Sequence, residues 1–418
     1  MRRIVATFLA LGSLALAAPA SADDAAELRA ALTREMRGAT PSSGAYVLDL
    51  DSGAELFALR ASTARMPASV EKLYTTSTAL LRMGPAATLD THAVSDAELD
   101  ADGVLRGDLV LVGGGDPFFG DESAAKLVGA VKAAGVKRIE GAVVGDESGF
   151  DRRRSSCCGG YDYDLGGVLS ALAYDRGIFG GAVQLDAGLF AAARFAAQLR
   201  AAGVRSGAKP RAGTAPAAAG EVASLASMPV RELIRFINVP SNNFASEMLL
   251  KALGERFRDS GTTSGGAAVV RETMLGLGAR ARVLDGSGLS RSDRTSPRDI
   301  VRLLERMDDP DVAPSFRASL AVVGRTGTVR RRMRKTAAAE RCRVKTGTLR
   351  DVSSLAGYCR TAGGRDIAFA LMFNRARTWI EKPREDRIVA AIARLEGAAG
   401  APVGPPEQPP SSGGAGAP

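Results

Sequence analysis

The sequence predicts an α/β (α+β) fold in which an antiparallel sheet is flanked by helices and a smaller α/β domain is inserted. Three observations predict it. Apolar and polar residues alternate through 45–50 and 55–59 on either side of Asp51-Ser52-Gly53, which reads as a β-hairpin. Strand-like runs return near the other end, at 341–349, 354–359 and 367–373. Between them lie helical stretches and one strand-helix-strand alternation.

The first 22 residues carry Arg2 and Arg3, an apolar run over 4–18 and the small residues Ala20-Ser21-Ala22, the pattern of a signal peptide cleaved after Ala22. No cysteine follows the run at once, so no lipid anchor is indicated. No later stretch reaches the roughly 18 apolar residues of a transmembrane anchor. The chain is therefore read as exported, to a periplasmic or other extracytoplasmic space. The formal charge of +9 falls to +7 without Arg2 and Arg3, and the basic residues concentrate in 291–302 and 325–343. Such a chain suits an anionic cell-wall polymer. Few aromatics (5%) and no recognised motif argue against nucleic acid.

Cys157, Cys158, Cys342 and Cys359 fit an oxidising compartment and leave three pairings open. Cys342 and Cys359 fall on two neighbouring strands, so a cross-strand disulfide is expected there. A bridge between the adjacent Cys157 and Cys158 would strain the peptide. No metal is expected, since zinc usually takes histidines or more widely spaced cysteines, and no cofactor is implied.

Pro67 marks a helix start, and the helix runs to Met83, where Gly84 and Pro85 stop it. Ser69 and Lys72 then lie one turn apart on one face. A serine nucleophile needs a base, and the chain has one histidine, His92, which makes lysine the expected partner. A strand over 107–112 leads into Gly113-Gly114-Gly115-Asp116-Pro117. No Gly-Lys-Ser/Thr follows, so this is read as a structural turn and not a phosphate site. A helix over 122–134, strands over 136–139 and 141–146, a helix over 189–202 and a linker over 207–220 complete the middle block. Past Ser227 the chain turns helical: one helix to Ile237, a second capped by Ser241 and running to Leu253, and a third over 297–307 behind the cap Ser296. A last helix runs from Pro383 to Leu395. Residues 399–418, rich in Pro, Gly and Ser, are expected to be disordered.

Ser69-x-x-Lys72, Ser241-Asn242-Asn243 and Lys345-Thr346-Gly347 together match the three-part signature of penicillin-recognising serine enzymes. With Gly113-Gly114-Gly115-Asp116-Pro117 and Asp285-Gly286-Ser287-Gly288-Leu289-Ser290-Arg291, the sequence resembles the exported D-alanyl-D-alanine carboxypeptidase/endopeptidase family, the class C low-molecular-mass penicillin-binding proteins. The resemblance covers nearly everything between Ala45 and Arg394. It implies a penicillin-binding-protein/β-lactamase-like transpeptidase fold, peptidoglycan stem peptides as substrate and β-lactams as covalent inhibitors. The catalytic domain would comprise 23–90 and 221–398, with 91–220 inserted.

By this resemblance Ser69 forms the acyl-enzyme, Lys72 is its base, Ser241 relays a proton and Asn243 binds the substrate amide. Lys345 and Thr346 meet the terminal carboxylate, and Gly347 lets the backbone approach. The N–H groups of Ser69 and Thr348 form the oxyanion hole. Arg291 and Asp146 would line a pocket for the free amino-acid end of the stem. Burial beside Lys345 is expected to depress the Lys72 pKa. The motif serines 69 and 241 lie 172 positions apart, short for this family, so a reduced insert is expected. Two alternatives are weighed. A β-lactamase of the same fold needs a carboxylate base for deacylation, which no segment supplies. A catalytically silent wall-binding protein need not keep all five of Ser69, Lys72, Ser241, Asn243 and Lys345. A homodimer stays open.

Overall fold

The computed structural model describes residues 22–156 and 160–396. The expected signal sequence up to Ser21, the pair Cys157 and Cys158, and the tail 399–418 lie outside the described residues. Within them no helix is long and apolar enough to cross a membrane.

The chain opens with α1 (Ala22–Arg37) and the expected hairpin, β1 (Gly44–Asp49) and β2 (Glu55–Leu59). A 3-10 turn over Ala68–Glu71 leads into α2 (Lys72–Met83). The middle block follows: β3 (Thr91–Ser95), β4 (Leu109–Val112), α3 (Asp121–Ala133), β5 (Val143–Asp146), α4 (Ala187–Ala201), β6 (Arg211–Ala212) and β7 (Gly220–Leu225). Then come α5 (Val230–Asn238), α6 (Asn243–Arg258), α7 (Thr263–Gly276), α8 (Pro297–Arg306) and α9 (Ala313–Ala318). The short strand β8 (Ala321–Val322) precedes β9 (Cys342–Leu349), β10 (Val352–Arg360), β11 (Asp366–Asn374) and α10 (Thr378–Arg394).

The first and last strands meet. The main sheet has the order β8-β9-β10-β11-β1-β2, antiparallel throughout. Successive side chains of a strand point to opposite faces, and here both faces are covered. Along β11, Ala368, Ala370 and Met372 pack with Leu73, Ile234 and Leu249 from α2, α5 and α6, whereas Ile367, Phe369 and Leu371 pack with Leu32 and Ile388 from α1 and α10. Burial on both sides explains the unbroken apolar run that marks this strand in the sequence. The expected disulfide joins Cys342 to Cys359, directly opposite in the β9–β10 register.

The middle block builds a second, mixed sheet, β6-β5-β4-β3-β7. Its core joins Leu109, Leu111 and Val143 to Leu127 and Val131 of α3 and Phe195 and Leu199 of α4. The expected linker over 207–220 is partly strand: Arg211 and Ala212 pair parallel to Val144 and Gly145. This pairing is carried by backbone hydrogen bonds, so it leaves little apolar signature. Phe150, Leu165, Leu169 and Ala171 instead pack into the core formed by α2, α5 and α6.

Three boundaries differ from expectation. Asn242, not Ser241, caps α6, its side chain accepting from the Ala245 N–H, and the helix continues to Arg258. α10 begins at Thr378 with Pro383 inside it. As the sixth residue of the helix, Pro383 has no N–H to donate to the Trp379 carbonyl, so one helical bond is lost there. No helix was expected at α7, whose Gly265-Gly266 pair and Thr273 lower its intrinsic propensity.

Candidate active site

Ser69 sits in the 3-10 turn rather than in a regular helix. Ala68, just before it, has φ +49, a left-handed conformation that costs roughly 1–2 kcal/mol for a residue with a Cβ. Two glycines wedge this turn in place. A Cβ on Gly347 would come within 2.5 Å of the Pro67 carbonyl oxygen, and one on Gly288 within 2.0 Å of the Ala68 carbonyl oxygen. Both also face the Ser69 N–H, at 3.1 and 3.0 Å from the same built positions. The glycine of Lys345-Thr346-Gly347 is therefore required by close approach of β9 to the serine turn.

Lys72, the first residue of α2, is fully buried. Its ammonium donates to Ser69 Oγ (3.0 Å), Asn243 Oδ1 (2.7 Å) and the Ser287 carbonyl (2.5 Å). Three donors thus meet three acceptors. Asn243 in turn donates through Nδ2 to the Asp164 carbonyl, 2.7 Å away.

Ser241 has φ +65, which ends the chain reversal after α5 and leaves the capping role to Asn242. The freed Ser241 hydroxyl accepts from Lys345 Nζ at 2.8 Å. Lys345, also fully buried, donates a second bond to the Thr346 carbonyl at 2.8 Å. The Thr346 hydroxyl reaches Thr328 Oγ1, 2.8 Å away. Thr348 is exposed at the strand's far end. β8 pairs only with Arg343 and Val344, so among the described strands none covers the outer edge of β9 from Lys345 onward.

The structure thus forms two hydrogen-bonded groups, Ser69-Lys72-Asn243 and Ser241-Lys345, with Lys72 close enough to act on Lys345 electrostatically. His92 is elsewhere, with Nδ1 2.7 Å from Glu221 Oε2 on the neighbouring strand of the second sheet. The sequence missed three contributors. The Ser287 carbonyl and the Asp164 carbonyl are backbone acceptors, which residue type does not advertise. Thr328 lies in an arginine-rich loop with no motif of its own.

Burial pushes the Lys72 amine down to about 8, against the opposing pull of Asp285, Glu71 and Glu247. Burial beside Lys345 was expected to lower it, and burial is the leading cause. Lys345 is itself held well below the usual lysine range, by burial first and by its repulsion with Lys72 second. Beneath Lys72 lie four buried acids, Glu71, Glu247, Asp285 and Asp293. Burial, then neighbouring carboxylates, raises Glu71 well above the usual range, Glu247 to about 8 and Asp293 to about 10. Glu247 Oε1 accepts from the Gly286 and Ser287 N–H groups, which fixes the loop that presents the Ser287 carbonyl to Lys72.

Arg291 lines a cavity of about 600 Å³ together with Asp162, Asp164, Leu289, Leu349 and Arg350, and it pairs with Asp351 at 2.8 Å. Asp146 does not line this cavity. It is buried at the end of β5, and its two oxygens accept from the Ser148 and Ala215 N–H groups at 2.8 and 2.7 Å. Its carboxylate is spent on holding loops beside the second sheet. The acidic side chains lining this cavity are Asp162, Asp164 and Asp285, while Arg291 itself pairs with Asp351.

Residues 25–164 and 157–397 match the sequence pattern of the D-Ala-D-Ala carboxypeptidase 3 (S13) family. The chain belongs to this family. This S13 chain is thereby a serine peptidase of the D-alanyl-D-alanine carboxypeptidase class. It is 27% identical to the D-alanyl-D-alanine carboxypeptidase of Actinomadura sp. (strain R39), over 85% of this chain and 82% of that one. Its fold matches penicillin binding protein 4 from Haemophilus influenzae with a TM-score of 0.75 at 19% identity, covering 86% of this chain and 98% of the other. It also matches a penicillin G acylated predatory endopeptidase from Bdellovibrio bacteriovorus, with a TM-score of 0.53 at 17% identity, over 84% and 89% of the two chains. The likeness to these structures places the S13 chain in the penicillin-binding fold class anticipated from its motifs.

Proposed function

We propose that Ser69 is the acylated residue of a D-alanyl-D-alanine carboxypeptidase, with endopeptidase activity on the same stem peptides, and that Lys72 is its base. The observation that carries this is the 3.0 Å contact between Lys72 Nζ and Ser69 Oγ, with Lys345 and Ser241 bonded at 2.8 Å beside it. As a neutral amine, Lys72 takes the hydroxyl proton while Ser69 Oγ attacks the carbonyl carbon of the penultimate D-alanine. The negative charge that develops on the carbonyl oxygen is met by the N–H groups of Ser69 and Thr348. Collapse breaks the peptide bond, and the proton reaches the departing amine by way of Ser241. Water then cleaves the ester and restores Ser69.

The uncovered edge of β9 suits an extended peptide adding as a further strand, with Lys345 and Thr346 at its carboxylate and Asn243 at its amide. The Arg291 cavity, with Asp162, Asp164 and Arg350 also in its lining, supplies both signs of charge for a zwitterionic stem end. β-Lactams would acylate Ser69 as penicillin G does the Bdellovibrio endopeptidase. The reading includes export by the leader 1–22 and an inserted unit over 91–220 within a catalytic part formed by 23–90 and 221–398.

The test is labelling of residues 23–398 by a fluorescent penicillin. Wild type should be labelled covalently and Ser69→Ala should not; a label that persists, or maps to another serine, overturns the assignment. Incubation with purified muropeptides, read by mass spectrometry, then distinguishes loss of terminal D-alanine from cleavage of cross-links.

A further inference from the structure

The segment 325–335 connects the candidate active site to a second surface. Thr328 touches Thr346 at the site's rim, and Arg331, Arg334 and Lys335 soon after it line a cavity of about 640 Å³ along the seam of α1 and α10. The floor is apolar, with Leu32, Met333 and Ile388 buried beneath it. The walls are basic: Arg34 and Arg394 join the three cations of the loop, and all five are exposed.

The two carboxylates at this cavity are already committed. Glu35 holds Arg387 through two bonds of 2.8 and 2.9 Å, and Asp386 pairs with Arg332. Among the described residues no carboxylate lies within ion-pair distance of Arg34, Arg331, Arg334, Lys335 or Arg394. Five like charges around one concavity repel one another and attract anions. The adjoining cavity of about 730 Å³ shares Arg34 and Arg394 but carries Asp24, Glu27 and Glu396, so the positive surface ends there.

We propose that this basic groove is a second binding surface for peptidoglycan, engaging the carboxylates of stem peptides next to the one that enters the Ser69 site. The proposal rests on the peptidase reading above. A polymer bearing a carboxylate on every stem, with aliphatic side chains between charges, matches basic walls over an apolar floor. In the chain, the groove's Arg331 follows three residues after Thr328, which touches Thr346 on the β9 edge where a stem would lie. The chain's own residues 397–418 offer a poor match, since they bring a single acidic side chain, Glu407.

The test compares wild type with the variant Arg331→Gln/Arg334→Gln/Lys335→Gln/Arg394→Gln in co-sedimentation with purified peptidoglycan. Parallel arms use inorganic polyphosphate and vesicles containing anionic phospholipid. Exposed charge pairs are each worth a fraction of a kcal/mol, so four lost charges should weaken peptidoglycan binding by about tenfold. Added salt should release wild type in the same way. Penicillin labelling of the variant at the wild-type rate shows that it is folded. Unchanged peptidoglycan binding by the variant overturns the proposal. So does a loss confined to polyphosphate or vesicles. Failure of wild type to label with penicillin would instead sink the peptidase reading.

Discussion

Lys72 spends all three ammonium hydrogens on Ser69, Asn243 and Ser287, and it can accept the serine proton only after giving one of its own away. Burial has moved that event down from the usual lysine range to about 8. The acylation rate should therefore rise with pH and level off above about 8, falling about tenfold per unit below it, since the neutral fraction sets the rate. Stopped-flow labelling with a chromogenic cephalosporin reads this profile directly; a flat profile from 6 to 9 would remove Lys72 as the base. The linked stability term has a definite sign. The folded chain releases the Lys72 proton near 8 and the unfolded chain near 10.5, so between these values the unfolded state holds more protons and this lysine's contribution to stability grows as pH rises. A second prediction at this scale concerns Gly347. Gly347→Ala would press a methyl group against the Pro67 carbonyl oxygen, and since backbone must move, acylation should fall by at least about tenfold, in keeping with the sensitivity of nucleophile geometry to small displacements.

Strand β9 carries the Lys-Thr-Gly sequence between the short β8 and the long β10, and the Cys342–Cys359 bond ties its start to its neighbour. The loop closed by this bond spans 17 residues. Replacing both cysteines by serine should lower stability by about 2–4 kcal/mol, the usual worth of closing a loop of this size. Urea unfolding of the double variant checks it: the midpoint should drop, and penicillin labelling below the transition should persist because Lys345 keeps its strand register. These elements were the legible ones. β1, β2, β9, β10 and β11 carry alternating or continuous apolar patterns, and α8 has its Ser296-Pro297 start, so sequence periodicity finds them. β6 and β7 escaped notice because two-residue or half-exposed pairing needs backbone only. In the site, the side chains of Ser69, Lys72, Ser241, Asn243 and Lys345 were readable from type and spacing. The left-handed backbone at Ala68 and Ser241 was not, because neither residue type favours it and only the packing of Gly288, Gly347 and Lys345 holds it there.

On the scale of the molecule, side-chain and backbone contacts tie the segment that follows β5 to the core formed by α2, α5 and α6. Asp151 is central to them. Its N–H donates to the Gly261 carbonyl at 3.0 Å, and its carboxylate accepts from Lys251 Nζ at 2.5 Å. Lys251 is fully buried on α6, eight residues beyond Asn243, and it also donates to the Arg153 carbonyl at 3.1 Å. Phe150 and Leu165 pack on the same core, and the Asp164 carbonyl between them and the site accepts from Asn243. The anchor of the segment after β5 and the orientation of a candidate catalytic amide are thus held by one helix and one stretch of chain. Removing one partner of such a pair leaves the other charge buried and uncompensated, which costs about 3–5 kcal/mol, whereas replacing both by apolar groups is often nearly neutral. Asp151→Ala should therefore lower the melting temperature markedly, and Asp151→Ala/Lys251→Met should recover most of the loss. Acylation separates anchoring from mere stability. If the pair also holds residues 161–165 over Asn243, penicillin labelling should be slowed in Asp151→Ala at temperatures where the protein stays folded, and restored in the double variant. Normal labelling in the folded single variant would show that the Asp164 contact is maintained without this ion pair, and the coupling argued here would be wrong.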